Sequence, residues 1–404
     1  MRKIDLTSFQ VATSETARDI NRRIVLDLIR TRQPISRADL ARHSGLQRST
    51  VSVITEQLIT QRWVIEGATG HQPRGRKPRF LQFNSERAGI IGINVRPVIT
   101  TIASADLHAR FLAQEQIRTA SDPDVFIKDL SNRVRLFMKA HSHISYEGIG
   151  ISLPGRVDNI TQRLVFAPNL GWRDVDLKTP LERATNLPVE LENAANACAL
   201  SEIWFGKNIE GISDLVAVTV SEGIGTGIVA NGQLMRGPTG VAGEFGHVSI
   251  NESGPVCKCG NRGCWEVYAS NSAAVDYYFQ AAAGARRDKR HEQTVTSDLT
   301  FDDLLRLAEQ GDDKAGEALD RMAHYIGIGI AMLTTALAPS VIVIIGEVTR
   351  AWERVEPIIK RVVAERSPGQ AMTRLVPADD AAQPRLRGTV ALLLQKHFGA
   401  PTIA

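Results

Sequence analysis

Residues 243–266 constrain this chain more than any other stretch. They read Gly243-Glu244-Phe245-Gly246-His247 and, ten residues past the histidine, Cys257-Lys258-Cys259-Gly260-Asn261-Arg262-Gly263-Cys264-Trp265-Glu266. Three of the four cysteines fall within eight residues. Thiolates and a neutral imidazole are the ligands zinc prefers, and four of them close a tetrahedral site with no open position. His247, Cys257, Cys259 and Cys264 are therefore expected to hold a structural Zn2+. A disulfide reading is poorer, because a single residue separates Cys257 from Cys259. The chain starts Met1-Arg2-Lys3-Ile4-Asp5, without an apolar leader, so the expected location is a reducing cytoplasm, where clustered cysteines point to metal. The fourth cysteine, Cys198, lies in an apolar helical run and reads as core packing.

A length of 404 residues suggests two or three domains. With 43% hydrophobic residues the composition is that of a globular protein, and no apolar run approaches the roughly 20 residues of a membrane span. The net charge of +4 hides an asymmetry. Residues 1–85 carry 15 Lys and Arg against 7 Asp and Glu, and the remainder carries 33 against 37. A basic leading part on an acidic body is the electrostatic footprint of a nucleic-acid reader joined to something else.

That leading part has the pattern of a winged helix-turn-helix. Thr16 to Arg30 reads as a helix, with Ile20, Ile24, Val25 and Leu28 near a 3.6-residue period. Ser36, with Asp39 three positions on, caps a second helix from Arg37 to His43, which Ser44-Gly45 ends. A third helix starts at Gln47 or Arg48 and runs to about Thr60, with Val51, Ile54 and Leu58 on one face. Its exposed start offers Gln47, Arg48, Ser49, Thr50 and Ser52 to bases and phosphates of double-stranded DNA. Strands around Trp63–Gly67 and Phe80–Phe83 flank a basic loop containing Arg74, Arg76, Lys77 and Arg79. Its Arg-Gly-Arg core suits a narrow minor groove.

From Gly89 on, strands and helices alternate as β-meanders with crossover helices, twice over. This implies an α/β body of two lobes with a cleft. Strands are expected at Ile90–Val95, Val98–Asp106, Phe111–Ile117, Ile149–Leu153, Leu215–Val220, Gly227–Ala230 and Val341–Ile345, and helices at Val125–Ala140 and Ala323–Leu337.

Five blocks make the chain resemble the ROK family: Gly148 to Gly155, Ala167 to Trp172, Leu191-Glu192-Asn193 with Asn196, Gly243 to His247, and the cysteine run closing on Glu266. With the winged helix, the likeness is to the family's branch of sugar-responsive repressors. The resemblance implies a two-lobed actin-like ATPase fold, a structural zinc, a sugar in the cleft, and a homodimer or homotetramer. It divides the chain into a DNA-binding domain at 1–85 and a ROK domain at 86–404. Lobe one would take about 86–192 with a returning helix at about 385–400, and lobe two about 193–384. It also implies that Asn169, Asn193, Glu244, His247 and Glu266 contact a sugar or sugar-phosphate effector, the histidine serving metal and sugar at once.

Three positions depart from the family's kinases. Asn94-Val95-Arg96-Pro97-Val98 stands where a glycine-rich phosphate loop opens the kinase body, and Pro97 has no amide to donate. Glu192-Asn193-Ala194 carries alanine where the catalytic carboxylate belongs. Ser221-Glu222-Gly223-Ile224-Gly225 puts an acid in the second phosphate loop. A non-catalytic regulator is expected, most simply a repressor of carbohydrate genes. The alternatives are a sugar kinase with an added DNA-binding head, and a regulator with a vestigial cleft governed by a protein partner.

Overall fold

The computed structural model describes residues 14–69, 79–206, 212–282, 299–367 and 373–398. Arg74, Arg76 and Lys77 of the expected wing loop lie outside the described residues. The leading part consists of α1 (Ser14–Arg32), β1 (Ile35–Ser36), α2 (Arg37–Ser44), α3 (Arg48–Thr60), β2 (Val64–Thr69) and β3 (Arg79–Phe83). Its helix ends are set locally. Ser36 accepts the Asp39 amide proton, and its hydroxyl donates to the Asp39 carboxylate at 2.7 Å. Gly45, at φ +70°, closes α2 in the left-handed region. Leu26, Leu40, Val51, Leu58, Trp63 and Leu81 form the buried centre. The two-residue β1 is absent from the sequence reading; it pairs with β3 and completes a three-stranded sheet of order β1-β3-β2.

The body opens with β4 (Gly89–Val95), β5 (Ile99–Ala105), β6 (Phe111–Arg118), α4 (Pro123–Ala140) and β7 (Tyr146–Leu153). A small sheet of β8 (Arg156–Val157), β9 (Leu164–Ala167) and β10 (Trp172–Val175) follows, then α5 (Lys178–Thr185), β11 (Val189–Asn193) and α6 (Ala194–Phe205). The second half holds β12 (Leu215–Val220), β13 (Ile224–Ala230), β14 (Gln233–Leu234), α7 (Glu266–Ala269), α8 (Asn271–Ala282), α9 (Phe301–Glu309) and α10 (Asp313–Leu337). It ends with β15 (Val341–Ile345), α11 (Trp352–Arg366), β16 (Arg374–Pro377) and α12 (Pro384–Phe398).

Two five-stranded sheets result, ordered β11-β7-β4-β5-β6 and β14-β13-β12-β15-β16. Each joins a three-stranded antiparallel meander to two parallel strands. The fold is the expected α/β body behind a winged helix. All five residues of β15 are buried, as a central parallel strand covered on both faces requires. α10 starts ten residues before the apolar run at Ala323, because Asp312 caps it by accepting the Ala315 amide at 2.8 Å. Among the described residues no helix is long and apolar enough to cross a membrane.

α6 and α12 are packed against each other, backbone to backbone. A Cβ on Gly388 would stand 2.0 Å from the Ala197 carbonyl oxygen, and one on Gly150 2.3 Å from that of Thr389, so α12 also lies directly on the first sheet. Cys198, inside α6, is fully buried, and burial pushes its thiol up to about 12; it is an inert packing residue, as its sequence context suggests. The far end of α6 reaches the leading domain, where the Arg30 guanidinium lies 4.5 Å from the centre of the Trp204 ring. The same junction stacks Phe83 edge-on to His108 at 5.6 Å and pairs Arg87 with Glu147. One apolar core runs from Val25 and Leu26 through to Val390 and Leu394.

Candidate functional site

The glutamate and histidine of Gly-Glu-Phe-Gly-His lie on a short 3-10 turn, Glu244–His247. Gly243 precedes it at φ +92°, pressed on the Thr226 carbonyl, where a side chain would meet that oxygen at 2.3 Å. Residues three apart eclipse on such a turn. Glu244 and His247 therefore share one face, with carboxylate and Nε2 3.7 Å apart. The other ring nitrogen, Nδ1, faces Cys257 Sγ at 3.6 Å.

The cysteine loop is folded by its own backbone. The Cys257 amide donates to the Asn261 carbonyl at 2.7 Å and the Gly260 amide to the Cys257 carbonyl at 2.9 Å. This brings His247, Cys257, Cys259 and Cys264 together, with all four ligand atoms within 4.8 Å of one another. Donors about 2.0–2.3 Å from a tetrahedral zinc would stand roughly 3.5–3.8 Å apart. The 3.6 Å from Cys257 Sγ to His247 Nδ1 and the 3.7 Å from Cys259 Sγ to Cys264 Sγ fit such edges, and 3.7 Å is far beyond a disulfide bond. Burial pushes the Cys257 and Cys264 thiols up, and a divalent cation is what would turn such a group of thiols into thiolates. The donor set fits a metal ion.

Beside this cluster a cavity of about 360 Å³ opens between the sheets, lined by Asn169, Asn193, Glu244, His247 and Glu266 together with the Pro154-Gly155 turn. All five residues expected to contact an effector thus reach one space. Their freedom differs. Asn193 caps α6, accepting the Ala195 amide at 2.8 Å, and its Nδ2 donates to the Gly155 carbonyl at 2.7 Å. It shapes the cavity wall more than it offers free donors. Glu266 Oε2 accepts the Ile224 amide at 3.1 Å, and a Cβ on Gly223 would stand 2.1 Å from that oxygen, so a side chain there would push the Glu266 carboxylate aside. Asn169 Oδ1 accepts from Lys258 Nζ at 3.3 Å. Burial raises the Glu244 carboxyl above its ordinary range, with His247 opposing and Glu266 adding to the rise.

Two of the three segments that depart from the kinase pattern meet each other. Arg96, on the β4–β5 turn, reaches across to Glu222 on the β12–β13 turn, with Nη2 to Oε1 at 2.7 Å. The same nitrogen lies 3.1 Å from Glu347 Oε1, just past β15. Burial works to raise the Glu222 carboxyl, but Arg96 outweighs it and holds the group below its ordinary value. One guanidinium and two carboxylates therefore join the two sheets at the depth of the cleft. Arg96 escaped the sequence reading as an active partner, because nothing local marks an arginine as paired with a residue 126 positions away.

On α3, Gln47, Arg48, Ser49 and Ser52 are exposed and Thr50 is half-buried. Ser52 donates its hydroxyl to the Arg48 carbonyl at 2.9 Å. Arg79 lies on β3 with its guanidinium held by Glu66 at 2.6 Å, so it braces the wing strands. Val53, 59% exposed, shares the outer face of α3 and was missed, since an apolar residue in a helix reads as core.

The chain matches the ROK family over residues 90–396. It is similar to the xylose repressor of Bacillus subtilis (strain 168), at 33% identity over 361 residues, 88% of this chain and 89% of that one. The DNA-binding transcriptional dual regulator NagC of Escherichia coli (strain K12) is 28% identical over 88% of this chain and 87% of its own. Among solved structures, a ROK family transcriptional regulator, a homolog of the E. coli MLC protein, covers 95% of this chain and 98% of its own, with a TM-score of 0.81 at 26% identity. A ROK family glucokinase from Streptomyces griseus, in complex with glucose and AMPPNP, covers 76% of this chain and 99% of its own, with a TM-score of 0.67 at 29% identity.

Proposed function

The chain belongs to the ROK family, and on that premise we propose that it is a sugar-responsive repressor of carbohydrate genes that binds operator DNA and does not catalyse phosphoryl transfer. On this reading the DNA-binding domain takes 1–85 and the ROK domain 86–404, with lobes of about 86–192 plus 385–400 and 193–384. The observation that carries the non-catalytic reading is the Arg96–Glu222 pair. Phosphoryl transfer needs positioned donors and cations around the phosphates. Here the two loops that would supply them hold each other instead, and Ala194 on the cavity wall offers no base.

His247, Cys257, Cys259 and Cys264 would bind Zn2+, which supplies rigidity and no open coordination position. With Nδ1 toward the metal, the His247 Nε2 proton points to Glu244 and the cavity. An effector, a sugar or its phosphate, would bind across Glu244, His247 and Glu266 and change the angle between the sheets. Its leverage equals its differential affinity for the two states. α6 offers the mechanical link, since its start is capped by Asn193 at the cavity and its end carries Trp204 under Arg30 of α1. In a homodimer or homotetramer, such a shift would change the spacing of the DNA heads. The reading places the protein in the cytoplasm.

The test is operator binding by the full-length protein across a salt series, with and without a sugar panel. Each phosphate contact neutralised adds about −0.9 to the slope of log affinity against log salt. Arg48→Ala should weaken specific binding by about 1–3 kcal/mol. Equal affinity of the wild type for operator and random DNA would defeat the regulator reading. The same preparation should transfer no phosphate from ATP to any hexose or pentose; transfer above a matched blank would overturn the non-catalytic part.

A further inference from the structure

The small sheet β8-β9-β10 forms one wall of the cavity, and its register sets three side chains in a row. Arg156 on β8 is paired with Phe166 on β9, and Phe166 is paired with Arg173 on β10. Side chains directly opposite in antiparallel strands share a face. All three line the cavity. The Arg173 guanidinium carbon lies 4.4 Å from the centre of the Phe166 ring. An arginine–phenylalanine–arginine row thus faces the wall built from Glu244, His247 and Glu266.

The charges of this row are unspent. Arg156 Nε is buried and has no hydrogen-bond partner among the described residues. Two other arginines near the cleft are already paired: Arg96 holds Glu222 and Glu347, and Arg236 holds Glu192 at 2.8 Å. Arg156 favours the charged form of the Glu244 carboxyl from a distance, without forming an ion pair with it. A buried donor left unmade is costly, and an anionic group of a ligand would meet it. A guanidinium presents a planar fork that matches carboxylate or phosphate oxygens in bidentate fashion, and an aromatic face between two such forks suits the apolar side of a sugar ring.

We propose that the effector of this protein is an anionic saccharide, its phosphate or carboxylate held by Arg156 and Arg173, its ring against Phe166, and its hydroxyls toward Glu244, His247 and Glu266. The proposal rests on the sugar-responsive reading above and narrows it to a ligand class. A neutral sugar could offer the Arg156 donor only a hydroxyl oxygen, without the charge that strengthens the bond.

The experiment is calorimetric titration of the full-length protein with D-glucuronate and D-glucose 6-phosphate, set against D-glucose and D-xylose, with operator release followed in parallel. One anionic sugar should bind about tenfold or more tighter than the neutral ones, the effect of a single charge-assisted hydrogen bond made or lost. Whether the glucuronate or the phosphate arm responds identifies the anion. Arg156→Gln should remove that advantage, bringing the affinities for the anionic and neutral sugars to within about twofold of each other. Equal affinity of the wild type for anionic and neutral sugars would overturn the proposal even if the variant failed to fold, and the sugar-responsive reading would stand. A preference that survives unchanged in a folded Arg156→Gln would also overturn it. Failure of all four sugars to bind, with operator binding intact, would take down the sugar-responsive reading and this proposal together.

Discussion

Stripping zinc from the purified protein should lower its unfolding midpoint by roughly 10 °C or more and abolish the response to sugar. Metal analysis of the untreated protein should find one zinc per chain. The expectation follows from how little else orders the loop that carries the three cysteines. The cysteine loop itself, residues 257–264, is closed mostly by its own turns, such as the Gly263 amide to the Pro255 carbonyl at 2.8 Å. Without a cation, the three thiols and the imidazole, all within 4.8 Å of one another, are held together only by weak sulfur hydrogen bonds. Glu244 and Glu266 are positioned by this loop, so loss of the metal should loosen both cavity acids. His247→Ala should weaken zinc retention and sugar response together, because its two ring nitrogens face Cys257 and Glu244. Full zinc content in that variant would refute the dual role of the histidine, and the absence of zinc from wild-type protein would refute the site.

Trp265→Ala should destabilise the fold by about 3–5 kcal/mol, the cost of emptying a large buried aromatic site. Trp265 is 0% exposed and its Nε1 proton goes to the Tyr325 carbonyl at 2.8 Å. α10 makes room for it at Gly329, where a Cβ would stand 1.9 Å from the indole. The indole therefore acts as a wedge that anchors the metal loop to the longest helix. Its chain neighbours are the metal-ligand candidate Cys264 and the cavity acid Glu266, so one substitution should perturb both. Denaturant unfolding of the variant, with zinc and sugar titrations beside it, checks this. A loss under about 1 kcal/mol would mean that the loop is anchored elsewhere, since surface substitutions usually stay within about half of that. Trp265→Phe should lose less, keeping part of the volume while giving up the hydrogen bond to Tyr325.

What the sequence determined by itself was local. Ser36, Asp39 and Gly45 bounded α2 within a residue, because caps and left-handed closures depend on neighbours three or four positions away. Val341–Ile345 was legible as a buried strand from its unbroken apolar run. The cysteine spacing named the metal-ligand candidates, since a short loop can bring only nearby donors to one ion. The short strands β1, β8 and β14 were not legible, because two residues carry no periodicity.

Only the tertiary structure decided which charges meet. An arginine reads the same in a sequence whether it is solvated, paired or waiting for a ligand. Arg79 read as a DNA contact and is held by Glu66; Arg96 read as a lost phosphate loop and joins the two sheets through Glu222 and Glu347. Arg156 and Arg173 carried no signal at all until the register of β8, β9 and β10 set them on either side of Phe166. Local conformational preference fixes helices, turns and metal loops within a few residues. The partner of a charge is chosen by chain topology, which brings together groups that no pattern of neighbouring residues records.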